Sequence, residues 1–185
     1  LRRRLEALEQ RQPPFASGPR GWLERNAHWV RPALVGDVEF VDVTTLLAPD
    51  GLPYPAASLD PEGLTLTTDG ELIVTSEGFA ARSIAPWVRR YALDGTYIAD
   101  FTVPAAFVPT ATSGVRQNLG FEAAAVTPNG RSVFVGTEGA LVQDGPAASI
   151  TSTSPVRILR FDERTGRLER QYVYVTDPVA ETPVP

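Results

Sequence analysis

Two stretches decide the fold: residues 62–78, EGLTLTTDGELIVTSEG, and residues 122–139, EAAAVTPNGRSVFVGTEG. Each runs through an acid, a short apolar segment, a Thr, an Asp-Gly or Asn-Gly pair, a second β-rich segment and a closing Glu-Gly. Asp-Gly and Asn-Gly between such segments mark β-hairpins, because a type I′ turn needs positive φ at both central positions and these residues tolerate it. The sequence therefore predicts antiparallel hairpins over 62–77 and 122–138, turning at Asp69-Gly70 and Asn129-Gly130.

A second unit follows each hairpin: residues 87–103, WVRRYALDGTYIADFTV, and residues 156–174, VRILRFDERTGRLERQYVY. Both have an Arg-aromatic strand, a turn ending in Gly and a strand that alternates apolar with polar residues, so each predicts another hairpin. The second half of this unit recurs at 36–43, GDVEFVDV, with Gly36 aligned on Gly95 and Gly166. Four strands per repeat with linkers between repeats is the pattern of propeller blades. The expected fold is all-β, part of a β-propeller, with about two four-stranded antiparallel blades plus the tail of a third. The competing architecture is a β-sandwich of the same strands; the matching order of turn pairs and Glu-Gly closures favours the repeat. Residues 1–35 read as a poorly defined flank, because Leu1, Leu5 and Leu8 have helical spacing but Pro13 and Pro14 end any helix early. Residues 36–185 read as a partial propeller domain, and the chain as a piece of a longer one, since two blades cannot close a ring.

All 17 basic residues are Arg. Residues 1–35 carry net charge +4 and residues 36–185 net charge −9, so the expected folded part is acidic. An acidic body without a basic stripe argues against nucleic acid as a partner, because backbone phosphates require clustered positive charge. No apolar run approaches the ~20 residues of a membrane span. The absence of Cys removes disulfides, thiolate nucleophiles and Cys-ligated metals, and the single histidine, His28, lies in the flank. Chemistry must therefore rest on carboxylates, Arg, hydroxyls or a metal. Ser76 has no paired His to activate it, and the Gly residues form no P-loop, nucleophile elbow or dinucleotide fingerprint.

The ordered motifs DPEGLT at 60–65, TSEG at 75–78, RQNLGFE at 116–122, TPNG at 127–130, TEGALVQDG at 137–145 and RILRFD at 157–162 resemble the bacterial phytase-like family, described as esterase-like activity of phytase. The resemblance covers about residues 36–178. It implies a propeller distantly similar to calcium-dependent alkaline phytases, and a periplasmic or extracellular location. Ala123 stands where the family commonly has Gly after the Glu of NLGFE, a change that bears on a backbone turn more than on chemistry.

Within a propeller, the first strand of each blade lines the channel, so Glu62 and Glu122, at equivalent places in the repeat, are expected to converge. Converging carboxylates suit calcium, which takes several oxygen ligands; the alternative is that each accepts loop amides and fixes the blade junction. Glu77 and Glu138 close the second strands and are expected to join Glu62 and Glu122 as metal ligands at one rim, with Asp60 and Asp144 in nearby loops; otherwise they are solvated strand ends. Arg116 and Asn118, just before Glu122, are the candidates to bind an anionic substrate, with Arg82, Arg89 and Arg157 behind them. The plain alternative for these arginines is a local ion pair or packing over the sheet. The aromatics Trp87, Tyr91, Phe134, Phe161, Tyr172 and Tyr174 are expected to pack the blades, with Trp87 and Phe161 between the sheets.

Two functions follow. One is a calcium-assisted hydrolase of small phosphorylated or ester substrates, with Glu62, Glu122 and Arg116 as its catalytic group. The other is a non-catalytic exported propeller that binds a ligand or protein partner across its channel face.

Overall fold

Among the described residues, each of the four short hairpin turns contains a glycine with positive φ. The structure, a computed structural model, describes residues 43–181, and within them the strands are β1 (Pro61–Leu66), β2 (Leu72–Ser76), β3 (Trp87–Tyr91), β4 (Tyr97–Asp100), β5 (Phe121–Val126), β6 (Ser132–Thr137), β7 (Pro155–Asp162) and β8 (Leu168–Val175). Gly70, Gly95, Gly130 and Gly166 have φ of 83°, 84°, 66° and 65°. Gly70 donates to the Thr67 carbonyl at 3.2 Å and Gly130 to the Thr127 carbonyl at 2.8 Å. The type I′ turns expected from the dipeptides are not what forms. Among the described residues, the non-glycines with positive φ are Ala57, Ser83 and Asn118, so Asp69 and Asn129 do not share the left-handed conformation. The loops are longer than two residues, and they follow the pattern in which a turn ends on a single left-handed Gly that restores the strand pairing.

The strands form two four-stranded antiparallel sheets in the orders β1-β2-β3-β4 and β5-β6-β7-β8. This is the all-β, two-blade part of a β-propeller that the repeat predicts. The tail of a third blade, 36–43, lies outside the described residues apart from Val43. The repeat extends to the linkers: Leu47 donates to the Gly95 carbonyl at 2.9 Å as Thr102 does to the Gly166 carbonyl at 2.8 Å. The exit from β4 thus crosses the left-handed Gly166 of the second blade.

The sheets meet along β1, β2 and β5. A side chain at Gly63 would place Cβ 2.5 Å from Thr75 Oγ1 and 3.1 Å from the Ala124 nitrogen, so glycine is what lets the β1 and β5 backbones approach. Thr75 fills the gap, accepting from Gly63 N at 2.9 Å and donating to the Phe121 carbonyl at 3.3 Å. Ile73 and Val88 of the first sheet share one core with Val133, Val135, Leu159 and Phe161 of the second. Each fully buried side chain of this kind contributes about 1.5–3 kcal/mol. Arg90 crosses the junction at its other end, pairing with Glu71 and Glu163 at 2.8 Å each and also reaching the Glu163 carbonyl.

Phe161 is fully buried in this junction, edge-on to Phe101 at 5.5 Å. Trp87 is not between the sheets. Neighbouring strand residues point to opposite faces, so once Val88 enters the core Trp87 must leave it. It stacks on Tyr54 at 6.0 Å on the far face of the first sheet, with the Arg89 guanidinium 4.6 Å from its ring. Phe134 and Tyr172 likewise stack on each other at 6.4 Å, and Tyr172 and Tyr174 are exposed.

The turn geometry gives a stability prediction. Gly130→Val should destabilise the fold by about 1–2 kcal/mol or more, because φ is left-handed and a Cβ would lie 2.5 Å from Thr68 Oγ1. Urea unfolding with an unchanged midpoint would remove the turn assignment.

Candidate functional site

Two backbone hydrogen bonds, one per blade, aim the site. Glu77, directly after β2, donates its N–H to the Asp60 carbonyl at 3.0 Å, and Glu138, directly after β6, donates to the Gly120 carbonyl at 2.8 Å. Asp60 and Gly120 each immediately precede the first strand of their blade, so the repeat carries both closing acids to the same end of the sheets. Glu122, the second residue of β5, lies with them. One carboxylate oxygen from each of Glu77, Glu122 and Glu138 falls within 4.8 Å of the others.

Glu77 is 3% exposed, and neither of its carboxylate oxygens has a hydrogen-bond partner among the described residues. Burial, then the adjacent Glu122 carboxyl, then the charges of Asp60 and Glu62, push its pKa up to about 7. Glu138 is raised by burial, Glu122 and then Glu62. Glu62, though exposed, therefore lies close enough to act on both. None of the neighbours that shift these two acids is cationic. An unpaired buried carboxylate is costly, and here it faces further carboxylates.

Gly120 makes this burial sterically feasible. A Cβ there would come within 2.7 Å of the Glu77 Cα and carbonyl oxygen. The loop before β5 thus lies directly on Glu77, which sequence reasoning left open as a solvated strand end. The available signal was the glycine immediately ahead of Phe121-Glu122.

The other candidates stand elsewhere. Arg116 is half-buried and donates through Nε to the Ala140 carbonyl at 3.2 Å and through Nη2 to the Gly145 carbonyl at 2.6 Å. Asn118 is exposed, with φ of 58°. Arg82 donates to the Ala57 carbonyl at 3.1 Å, and Arg89 to Asp100 at 2.7 Å. Arg157 grips Asp144 with two bonds of 2.5 and 2.7 Å, which keeps Asp144 away from the cluster's chemistry. Ser76 is fully buried and accepts from Asp60 N at 3.0 Å and Gly78 N at 3.3 Å, a structural tie. Among the described residues no helix is long and apolar enough to cross a membrane.

A family model described as phytase-like, esterase-like activity of phytase, matches residues 14–184. No curated protein matches the chain.

The raised pKa of Glu77 sets a pH dependence for the metal-free protein. A carboxyl with pKa near 7 when folded and about 4.5 when unfolded favours the folded state while protonated. That contribution is complete below pH 4.5 and is lost as pH rises through 7. The melting temperature in chelator should fall between pH 5 and pH 8, and Glu77→Gln should flatten that fall and raise the value at pH 8 by several degrees. Parallel profiles for the two proteins would contradict the unpaired state of Glu77.

Proposed function

We propose, from the premise that the chain belongs to the phytase-like family, that it forms part of a metal-assisted hydrolase of phosphate or other ester substrates. The observation that carries this reading is the Glu77 carboxylate, buried without a partner and facing Glu122 and Glu138. Orphaned oxygens beside two further carboxylates, with no cation among the neighbours that shift them, fit a hard cation with oxygen ligands, and calcium is the expected one. Glu77, Glu122 and Glu138 would hold it, with Glu62 at the edge of the group. A cation held there supplies positive charge against which a phosphoryl or carbonyl oxygen is polarised.

The chain's own groups do the remaining work. Glu77, its pKa pushed up to about 7, is partly protonated at neutral pH while the site is metal-free, so loading the site would release protons. Arg116 and Asn118 sit in the loop that leads into the Glu122 strand, and they are the groups proposed to orient an anionic substrate. For Arg116, this role falls to the guanidinium nitrogen not engaged with the Ala140 and Gly145 carbonyls. The periplasm or cell exterior suits the proposal, since extracellular modules bind calcium at about 10⁻⁴–10⁻³ M.

A second reading follows from the position of Glu77 at the junction of the two sheets: a cation there staples one blade to the next in a non-catalytic, ligand-binding propeller. One set of measurements separates the two. Turnover of a generic phosphate ester, a carboxylic ester and phytate is followed with calcium and with chelator, alongside melting temperature. The hydrolase reading expects calcium-dependent turnover that Glu122→Gln lowers by about 100-fold or more, since even partners behind metal ligands cost 10–100-fold. Calcium that raises the melting temperature without turnover of any substrate selects the staple. Turnover indifferent to chelator rejects the metal-assisted reading.

A further inference from the structure

The segment 116–120, RQNLG, is fastened to both arms that carry the outer carboxylates. On the side of the second blade, Arg116 donates to the Ala140 and Gly145 carbonyls, the Leu119 carbonyl accepts from Gly139 N at 3.4 Å, and the Gly120 carbonyl accepts from Glu138 N at 2.8 Å. The Ala140 end is itself anchored, because Ala140 N donates to the fully buried Ser154 hydroxyl at 3.0 Å. On the side of the first blade, Gln117 Oε1 accepts from Ala81 N at 3.0 Å in the short 3-10 turn Ala80–Arg82 that follows Glu77. Gly120 packs against the Glu77 backbone with no room for a methyl group. Asn118, in the left-handed conformation, reverses the chain between the two attachments.

We propose that this five-residue segment acts as a caliper that sets the distance between the Glu77 and Glu138 arms around Glu122, and so selects the size of the cation the cluster accepts. The proposal rests on the reading of that cluster as a cation site. Magnesium binds oxygens at about 2.0–2.1 Å and demands near-ideal octahedral geometry, whereas calcium takes them at about 2.3–2.6 Å in more flexible arrangements. The three carboxylate oxygens of the cluster lie within 4.8 Å of one another. Discrimination between the two ions depends on cavity size and on how firmly the ligands resist being drawn in. Arms tied to one short segment by five hydrogen bonds and a backbone contact cannot draw in around the smaller ion without straining those ties. Arg116 and Gln117 are on this account positioning residues that need not touch the ion.

The test compares calcium and magnesium affinities by titration calorimetry for the full chain and for Arg116→Gln, Gln117→Ala and Glu77→Gln, with melting temperatures in chelator. The ratio of the two affinities is the readout, because lost charge or general destabilisation weakens both ions together. The wild type should prefer calcium, and each caliper variant should lose that preference by about tenfold, the lower range for residues behind metal ligands. Gln117 is exposed and contributes one bond, so its variant keeps the test available if Arg116→Gln fails to fold. An unchanged ratio in Gln117→Ala and in any folded Arg116→Gln, with binding still abolished by Glu77→Gln, overturns the caliper and leaves the cation site standing. Calcium binding absent from the wild type, or indifferent to Glu77→Gln, overturns the cation site and the caliper with it.

Discussion

The two sheets come together because Gly63 puts nothing between the backbones of β1 and β5. Everything at the acidic end of the molecule depends on that approach. With β1 against β5, the Thr75 hydroxyl bridges from Gly63 N to the Phe121 carbonyl, Ile73 and Val88 enter one core with Leu159 and Phe161, and Glu77 arrives beside Glu122. A larger residue at 63 would push the inner strands apart, and the carboxylate cluster would separate with them. Backbone proximity, bridged by the Thr75 hydroxyl, brings the acids together.

The same approach creates a conflict that packing alone does not relieve. Junction residues gain stability by excluding water, yet Glu77 is excluded with them and has no donor to replace its hydration. A proton resolves the conflict at low pH, so Glu77 links the junction to pH, and the proposed cation would take the proton's place at higher pH. At the opposite end of the junction Arg90 pairs with both Glu71 and Glu163, so the acids there share a guanidinium. The two ends differ in that one offers its acids a cationic partner, whereas none of the groups that shift Glu77 and Glu138 is cationic.

Much of this was legible in the residues. The order of hairpins was readable because glycine before a β-rich run has a strong conformational reason to be there, and the repeat fixed which acids would be equivalent. The turn type was misread because a dipeptide does not reveal how many residues the strand pairing leaves in the loop. Trp87 was misplaced because alternation tells which residues share a face but not which face is covered, and only the burial of Val88 decides it. Convergence of the acids could be anticipated from equivalence in the repeat, but the burial of Glu77 depends on Gly120, distant in sequence, folding over it. The carbonyl partners of Arg116 lie in an irregular loop, whose shape no periodicity encodes.

The linkers that ride across Gly95 and Gly166 have a mechanical meaning. The first blade is bonded to the second twice, once along the inner strands by packing and once at the outer edge, where the exit of β4 lies across the turn between β7 and β8. A chain built this way behaves as a row of coupled units in which every unit senses its neighbour and little beyond. Tension applied along the polypeptide would load the outer bonds first and reach the inner strands only after those yield. The carboxylate cluster, resting on the inner strands, is thereby set on the side of this joint that parts last.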